Sequence, residues 1–376
     1  MAPRRKGRLM EQERTAQSAH TRTPDATATA AVWSGDALTI ERLALPRLAP
    51  GEVLVRTELA TICGSDLHTL NGDRQTPVPT ILGHEAIGEV IALEGEPRCT
   101  DGTPLALSDR VTWTIGTACG ECDRCAAGLS QKCESVRKYG HEAMDDHWSL
   151  SGGFASHIHL LPGTGLVRVP PDMEAALAAP ANCATATVAG AARRVALDAR
   201  DTVVVMGCGM LGLTAIAYAR DRGCSTVIAS DVDPRRLRLA REFGATATAT
   251  PKALGDAVGR ERGADVVFEL SGSHRAVQAA LGLVAIGGRI ALVGSVSPGP
   301  AVQVDPSSVV KNLTSIVGCH NYRADDLEDA IGFLQRSAVR DGLARLVSTP
   351  WPLAEIVEAV GAANAGTHPR VAVDPR

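Results

Sequence analysis

Aromatic residues make up only 3% of this 376-residue chain, so its cores must be packed largely from alanine and branched aliphatic side chains. No apolar run reaches the roughly 20 residues that would cross a bilayer as a helix, which argues against a membrane partner. An excess of charge of one sign is missing too. With 38 Lys and Arg against 42 Asp and Glu, the formal net charge is −4. That leaves no basic field to attract a nucleic-acid backbone. Residues 1–30 have neither helical nor strand periodicity and read as a disordered extension. Arg4 and Arg5 suggest an export signal, but no apolar segment follows them, so a cytoplasmic chain is expected, with Met10 as a second candidate start.

What is present is ordinary globular composition, 45% hydrophobic and 21% charged, at a length that favours two domains. From Ala31 onward, short alternating apolar runs are separated by Pro and Gly turns, as in LTIERLAL, GEVLVRTELATICG, GHEAIGEVIAL and DRVTWTI. Closely spaced strands of that kind predict a small antiparallel barrel. Near Met173 the pattern changes: EAALAAPANCATATVAGAARR reads as helix, and TVVVM, STVIASDVD, ADVVFELSG and GRIALVGSV read as apolar strands alternating with helices. That rhythm predicts a doubly wound parallel sheet, an α/β fold. The expected division is 31–181 for the β-rich domain, 182–325 for the parallel sheet, and 326–376 returning to the first domain.

Ten cysteines in a long chain with no export signal favour metal over a disulfide framework. Cys119, Cys122, Cys125 and Cys133 stand at C-x2-C-x2-C-x7-C. Such crowded thiolates need a soft dication, and four sulfurs fill zinc's coordination, so the site reads as structural zinc. Disulfides and an iron–sulfur cluster are the rival readings; the second is disfavoured because nothing nearby suggests electron transfer. Cys63 in ICGSDLH, His84 in LGHEAIGEV and Cys183 in PANCATATV form a second set. Each alone reads more readily as a core cysteine or a satisfied histidine, but together, and beside the four-cysteine lobe, they make a three-ligand zinc set with its fourth position open.

Gly207, Gly209 and Gly212 form G-x-G-x-x-G directly after TVVVM, with Met210 and Leu211 between the second and third glycines at the start of a helix. In that context the motif predicts a dinucleotide pyrophosphate turn. Asp231, nineteen residues past Gly212, is placed to bond the adenosine ribose, which favours NAD over NADP. Arg235 and Arg236 just beyond it offer a rival 2′-phosphate contact; Arg235 reads more simply as part of a solvated helix face. Gly294 and Ser295, after the strand IALV, are candidates to line the nicotinamide, although a plain turn explains them almost as well.

CGSDLH, GHEAIG and the four-cysteine lobe, in this order, resemble the zinc-containing medium-chain alcohol dehydrogenases over nearly all of the chain from Ala31. The resemblance implies a GroES-like barrel joined to a Rossmann domain, two zinc ions per chain, NAD, small alcohol or aldehyde substrates, and a homo-oligomer, dimer or tetramer. It implies Cys63, His84 and Cys183 as ligands of the catalytic zinc, with Glu85 either an exchanging ligand or a carboxylate behind them and Asp66 orienting His84. Ser65 and His68 would form a proton relay, Thr187 would touch the nicotinamide, Arg236 the ribose and Arg370 the pyrophosphate. ANCATATVAGA, VRKYGHEA, LSGGF and VGCHNY also resemble a subgroup associated with phosphonate metabolism. A phosphonate would need cations or donors, for which Arg137, Lys138, His141, Lys311, His320 and Asn321 are candidates. A polyol or amino-alcohol dehydrogenase of the same fold, and a non-catalytic dinucleotide-binding protein, are the alternatives.

Overall fold

The computed structural model describes residues 27–259 and 262–376. Arg4, Arg5, Met10 and all but the last four residues of the expected extension lie outside them. Those four, Thr27 to Ala30, are strand: β1 runs Thr27–Trp33, with Ala28 and Ala30 fully buried. Alternating Thr and Ala carry too little apolar contrast to announce a strand in the sequence.

The first half continues with β2 (Leu38–Ala44), β3 (Val53–Ile62), β4 (Thr80–Ile81), β5 (Glu85–Leu93), β6 (Arg110–Thr117), β7 (His157–Leu160) and β8 (Thr164–Arg168). The parallel sheet is built from β9 (Thr202–Met206), β10 (Thr226–Ser230), β11 (Ala247–Ala249), β12 (Ala264–Glu269), β13 (Val284–Leu292) and β14 (Ser315–Gly318). Its order is β11-β10-β9-β12-β13-β14 and every pairing is parallel. Two last strands, β15 (Trp351–Pro352) and β16 (Val371–Asp374), leave that sheet and join the first half, where β16 pairs with β3. The β-rich half is thus two sheets, β2-β1-β4 and β15-β16-β3-β5-β6-β8, with β7 also on β3. The scarce aromatics concentrate here: Trp113, Trp148, Tyr139 and Phe154 are all buried in its core.

The expected helix over EAALAAPANCATATVAGAARR is broken. Helix Ala175–Ala178 passes into a 3-10 turn at Ala179–Asn182, and a second helix, Ala184–Arg194, leaves at 50° to the first pair. Pro180 has no N–H to continue an α-helical ladder, and Cys183 takes φ −132°, ψ −74° at the corner. The break turns the Cys183 sulfur toward the end of β3. Helix Ala184–Arg194 packs against helix Ala324–Arg336, and Arg193 Nε donates to Asp326 Oδ1 at 2.6 Å across that contact. Among the described residues no single helix is long and apolar enough to cross a membrane.

Candidate metal centre and dinucleotide turn

Four elements converge on one point. Cys63 follows β3 and precedes helix Gly64–Leu70, His84 and Glu85 begin β5, and Cys183 sits at the helix break. One donor atom from each of these four residues lies within 4.8 Å of the others. The sulfurs of Cys63 and Cys183 are 3.9 Å apart, and two sulfurs bonded to one tetrahedral zinc would stand about 3.8 Å apart. His84 Nδ1 lies 3.4 Å from Asp66 Oδ1, which leaves Nε2 as the nitrogen free for a metal. Asp66 is fully buried and is itself fixed by the amides of Cys63 (2.8 Å) and Gly83 (3.2 Å). That sets a buried carboxylate beside the His84 ring. Ser65 Oγ is 3.4 Å from His84 Nε2. His68, three residues along the same helix, is exposed and bonds Asp73 Oδ2 at 3.2 Å through Nδ1.

Glu85 is fully buried, and its carboxylate is surrounded by donors. Thr61 Oγ1 donates at 2.5 Å, and Arg370 Nε lies 2.9 and 2.7 Å from its two oxygens. Burial pushes the Glu85 carboxyl up to about 7 against the pull of Arg370. Arg370 is also within 3.5 Å of the Cys63 sulfur. The arginine expected at a pyrophosphate is thus held against the ligand cluster. Bonding from Cys183 holds the Cys63 thiol well below its usual range, while that bond and burial raise Cys183. A proton shared between two buried sulfurs suits a pair that a dication can displace it from.

In the lobe, Cys133 is 3.5 Å from Cys119 and 4.0 Å from Cys122, and with Cys125 the four sulfurs lie within 4.8 Å of one another. The amide of Cys119 donates to the Cys133 sulfur at 3.3 Å and holds that thiol down at about 6. Both donor sets fit zinc: four sulfurs in one group, and two sulfurs and one imidazole, with the Glu85 carboxylate close by, in the other. Cys99, Cys208, Cys224 and Cys319 are buried and belong to neither set.

The glycine turn leaves β9 with Gly207 at φ +95° and enters helix Met210–Asp221. A Cβ on Gly212 would stand 1.8 Å from the Gly207 carbonyl, whereas a Cβ on Gly209 would meet nothing within 4 Å. The turn is closed behind and open in front, a shape that admits a phosphate to the free amides at Met210 and Leu211. Asp231 directly follows β10; its oxygens accept from the amides of Cys208 (2.7 Å) and Asp233 (2.8 Å), and Arg236 Nη1 is 3.9 Å away. Arg235 is tied to Asp233 at 3.1 Å, as a solvated helix face requires.

A family model described as "Zinc-binding dehydrogenase" matches residues 211–336, and one described as "Alcohol dehydrogenase GroES-like domain" matches 49–171. Sorbitol dehydrogenase of Bacillus subtilis is 32% identical over 313 residues, covering 80% of this chain and 83% of that protein. The chain belongs to the zinc-binding alcohol dehydrogenase family. An alcohol dehydrogenase of Rhizobium meliloti is 34% identical over 310 residues, covering 80% of this chain and 85% of that protein. The crystal structure of an alcohol dehydrogenase from Thermotoga maritima superposes with a TM-score of 0.87 at 28% identity, over 94% of this chain and 100% of that one. This dehydrogenase is accordingly an oxidoreductase with a GroES-like domain and a Rossmann-like parallel sheet.

Other expected residues fall in different surroundings. Thr187 is half-buried one turn past Cys183, its amide bonded to the Cys183 carbonyl at 3.0 Å. Gly294 and Ser295 are joined to the fully buried Glu269, which accepts from Ser295 Oγ at 3.2 Å and from the amides of Ser271 and Gly272 at 2.8 and 2.9 Å. Nothing in the run ELSG marked Glu269 as the knot between the ends of β12 and β13. Sequence reasoning also missed Asn182, buried beside Cys183, whose side chain bonds Ala86 N and Trp113 O, and Tyr322, whose hydroxyl donates to the Asn182 carbonyl.

The six candidates for a phosphonate separate. Arg137 is already engaged: Nε donates to Glu142 at 2.5 Å, Nη2 to Asp145 at 3.1 Å, and the guanidinium lies 4.6 Å from the Trp148 ring centroid. Lys311 is exposed on helix Pro306–Asn312, which packs on β13. His141 is buried with its ring 4.9 Å from that of His84, and its Nδ1 has no partner among the described residues. His320 Nδ1 contacts Lys132 Nζ. Lys138 and Asn321 line one cavity of about 290 Å³ with Thr114 and Tyr322.

Proposed function

We propose that this chain is a zinc-dependent, NAD-linked alcohol dehydrogenase carrying one catalytic and one structural zinc. The observation that carries the reading is the meeting of Cys63, His84 and Cys183, brought from three separate segments. With both groups bound, zinc supplies a Lewis acid for the substrate hydroxyl and NAD a hydride acceptor. The rest belongs to the chain. Asp66 keeps His84 in the tautomer that presents Nε2. Ser65 Oγ, beside that nitrogen, receives the hydroxyl proton, and His68 at the exposed side of the same helix passes it to water. Glu85 is read as a carboxylate behind the ligands, since Arg370 and Thr61 already bond it.

NAD is favoured over NADP because Asp231 stands at the end of β10, where a 2′-phosphate would meet its charge, and Arg235 is bound to Asp233. The domain division of 31–181 with 326–376, and 182–325, is supported by strand membership, β15 and β16 lying with β3. A homo-oligomer is supported by the exposed apolar edge at β14. For the substrate, a hydroxyalkylphosphonate is our first choice, and a polyol is the second reading because a relative is named sorbitol dehydrogenase. The test is steady-state kinetics of metal-replete protein with 2-hydroxyethylphosphonate, sorbitol and ethanol, each with NAD and NADP, alongside a zinc assay. Two zincs per chain and NAD-dependent oxidation are expected. Fewer than two zincs and no turnover of any alcohol would return the chain to a non-catalytic dinucleotide-binding role.

A further inference from the structure

The metal centre offers one donor more than a catalytic ion can use. Cys63, His84, Glu85 and Cys183 each bring a donor atom within 4.8 Å of the others. Zinc takes four ligands at most sites, so an ion bound by all four residues would keep no position for a substrate. One donor must be held off. His84 is oriented by Asp66, and Cys63 is fixed to the same carboxylate through its amide, so the choice falls between Glu85 and Cys183. Both oxygens of Glu85 are already bonded, by Arg370 Nε, and one of them by Thr61 Oγ1 as well. Cys183 has no such clamp on its side chain, and its sulfur is placed by the backbone that carries it.

That backbone hangs from Asn182, which is fully buried and tied to three other segments. Its Oδ1 accepts from the Ala86 amide on β5 at 3.3 Å, and its Nδ2 donates to the Trp113 carbonyl on β6 at 3.0 Å. Its own carbonyl, part of the peptide that leads into Cys183, accepts from the Tyr322 hydroxyl. The same hydroxyl accepts from the Ile115 amide on β6 at 3.1 Å, so it is fixed at both ends. Tyr322 follows β14 and is buried. Two local features admit it. Asn321 before it takes φ +56°, a left-handed conformation that Asn tolerates better than most residues. Gly190 beside it has no side chain; a Cβ there would stand 3.2 Å from Tyr322 Cβ. On another side Tyr322 borders the cavity of about 290 Å³, where packing holds it little and the two hydroxyl bonds must serve instead.

We propose that Tyr322 is a positioning residue that makes Cys183, rather than Glu85, the third protein ligand of the metal. It rests on the dehydrogenase reading of this site and deepens it. The division of labour is simple: Arg370 and Thr61 hold the carboxylate off, and Tyr322 holds the thiolate on. Without the hydroxyl, the Asn182 carbonyl loses its donor and the peptide before Cys183 is free to turn. The sulfur then withdraws and takes a proton from water, and a Glu85 oxygen fills its place. One metal–sulfur bond is exchanged for one metal–oxygen bond, with no change of oxidation state.

Tyr322→Phe removes the hydroxyl and keeps the ring against Gly190, so the fold is retained, and two measurements on the full chain decide the matter. In the first, zinc-replete wild type and variant are treated with iodoacetamide without NAD, and the labelled cysteines are identified by mass spectrometry. Cys183 should react about 10-fold faster in the variant, the shift that one lost buried hydrogen bond is worth, while Cys63 stays as protected as in wild type. In the second, both proteins are loaded with cobalt(II) in place of zinc. The thiolate-to-cobalt absorption should fall by about one-sixth in the variant, one of six cysteine sulfurs having left a metal. A change in general stability would bare Cys63 and Cys183 together. That result, or a Cys183 as protected as in wild type with an unchanged cobalt band, overturns the role of Tyr322; alcohol oxidation by the wild type would then leave the dehydrogenase reading standing. Selective labelling of Cys183 in a protein whose wild type oxidises no alcohol upholds Tyr322 and defeats the dehydrogenase reading.

Discussion

The pair Glu85 and Arg370 ranks among the most consequential contacts at the level of single side chains, because both are buried, Arg370 Nε bonds both carboxylate oxygens, and the only other charged group against Arg370 among the described contacts is the Cys63 sulfur. Removing one partner of such a pair leaves a stranded charge. Arg370→Met should therefore cost about 3–5 kcal/mol in urea denaturation of the zinc-replete protein. Adding Glu85→Gln to it should cost less than the two single changes together, which a double-mutant cycle measures. An arginine that served only a pyrophosphate would move the KM for NAD and leave stability alone, so a stability within experimental error of wild type rejects the pairing as a structural element. The same pair shows why the site was legible only in part. Cys63, His84 and Cys183 were readable because sulfur and imidazole announce metal chemistry by residue type. The partner of Arg370 lies 285 residues away, and no motif couples the two. His141, Asn182 and Tyr322 are common residues whose significance comes from the neighbours the fold gives them.

The two turns that build the site illustrate the next scale. GCGMLG was legible because backbone geometry there admits few residues: Gly207 has φ +95° and Gly212 has no room for a Cβ. Gly212→Ala should be destabilised by about 1–3 kcal/mol or more, since the Gly207 carbonyl must move. Gly209→Ala should keep its stability within about 0.5 kcal/mol, because its Cβ meets open space, and should instead raise the KM for NAD. Thermal melts and NAD titration of the two variants check this; equal loss of stability in both would show that the face of the turn at Gly209 is as crowded as that at Gly212. The helix break at Cys183 was not legible in the same way. Alanines on both sides of Pro180 kept the helical pattern running, and only the packing of Asn182 against Ala86, Trp113 and Tyr322 shows why the chain turns there. The strands were read well where apolar and polar residues contrast, and poorly at β1, where Thr and Ala do not.

Across the whole molecule the parallel sheet ends at β14, which among the described residues has a partner only on its β13 side. Around that edge Ile286, Val310 and Leu313 are each at least 70% exposed, and Ile316 projects from the strand itself. An open edge beside bare aliphatic side chains invites pairing, and natural sheets protect such edges unless a partner covers them. A second copy, set edge to edge about a two-fold axis, would cover both at once, since the same residues would meet their counterparts. Light scattering after gel filtration should then give a multiple of the 39.2 kDa chain mass, and Ile316→Lys should move the protein toward a single chain by placing like charges across the axis. All eight candidate metal donors come from one chain, so the separated variant should still bind two zincs. A wild-type protein that runs as one chain at micromolar concentration would leave this edge without a partner and defeat the pairing.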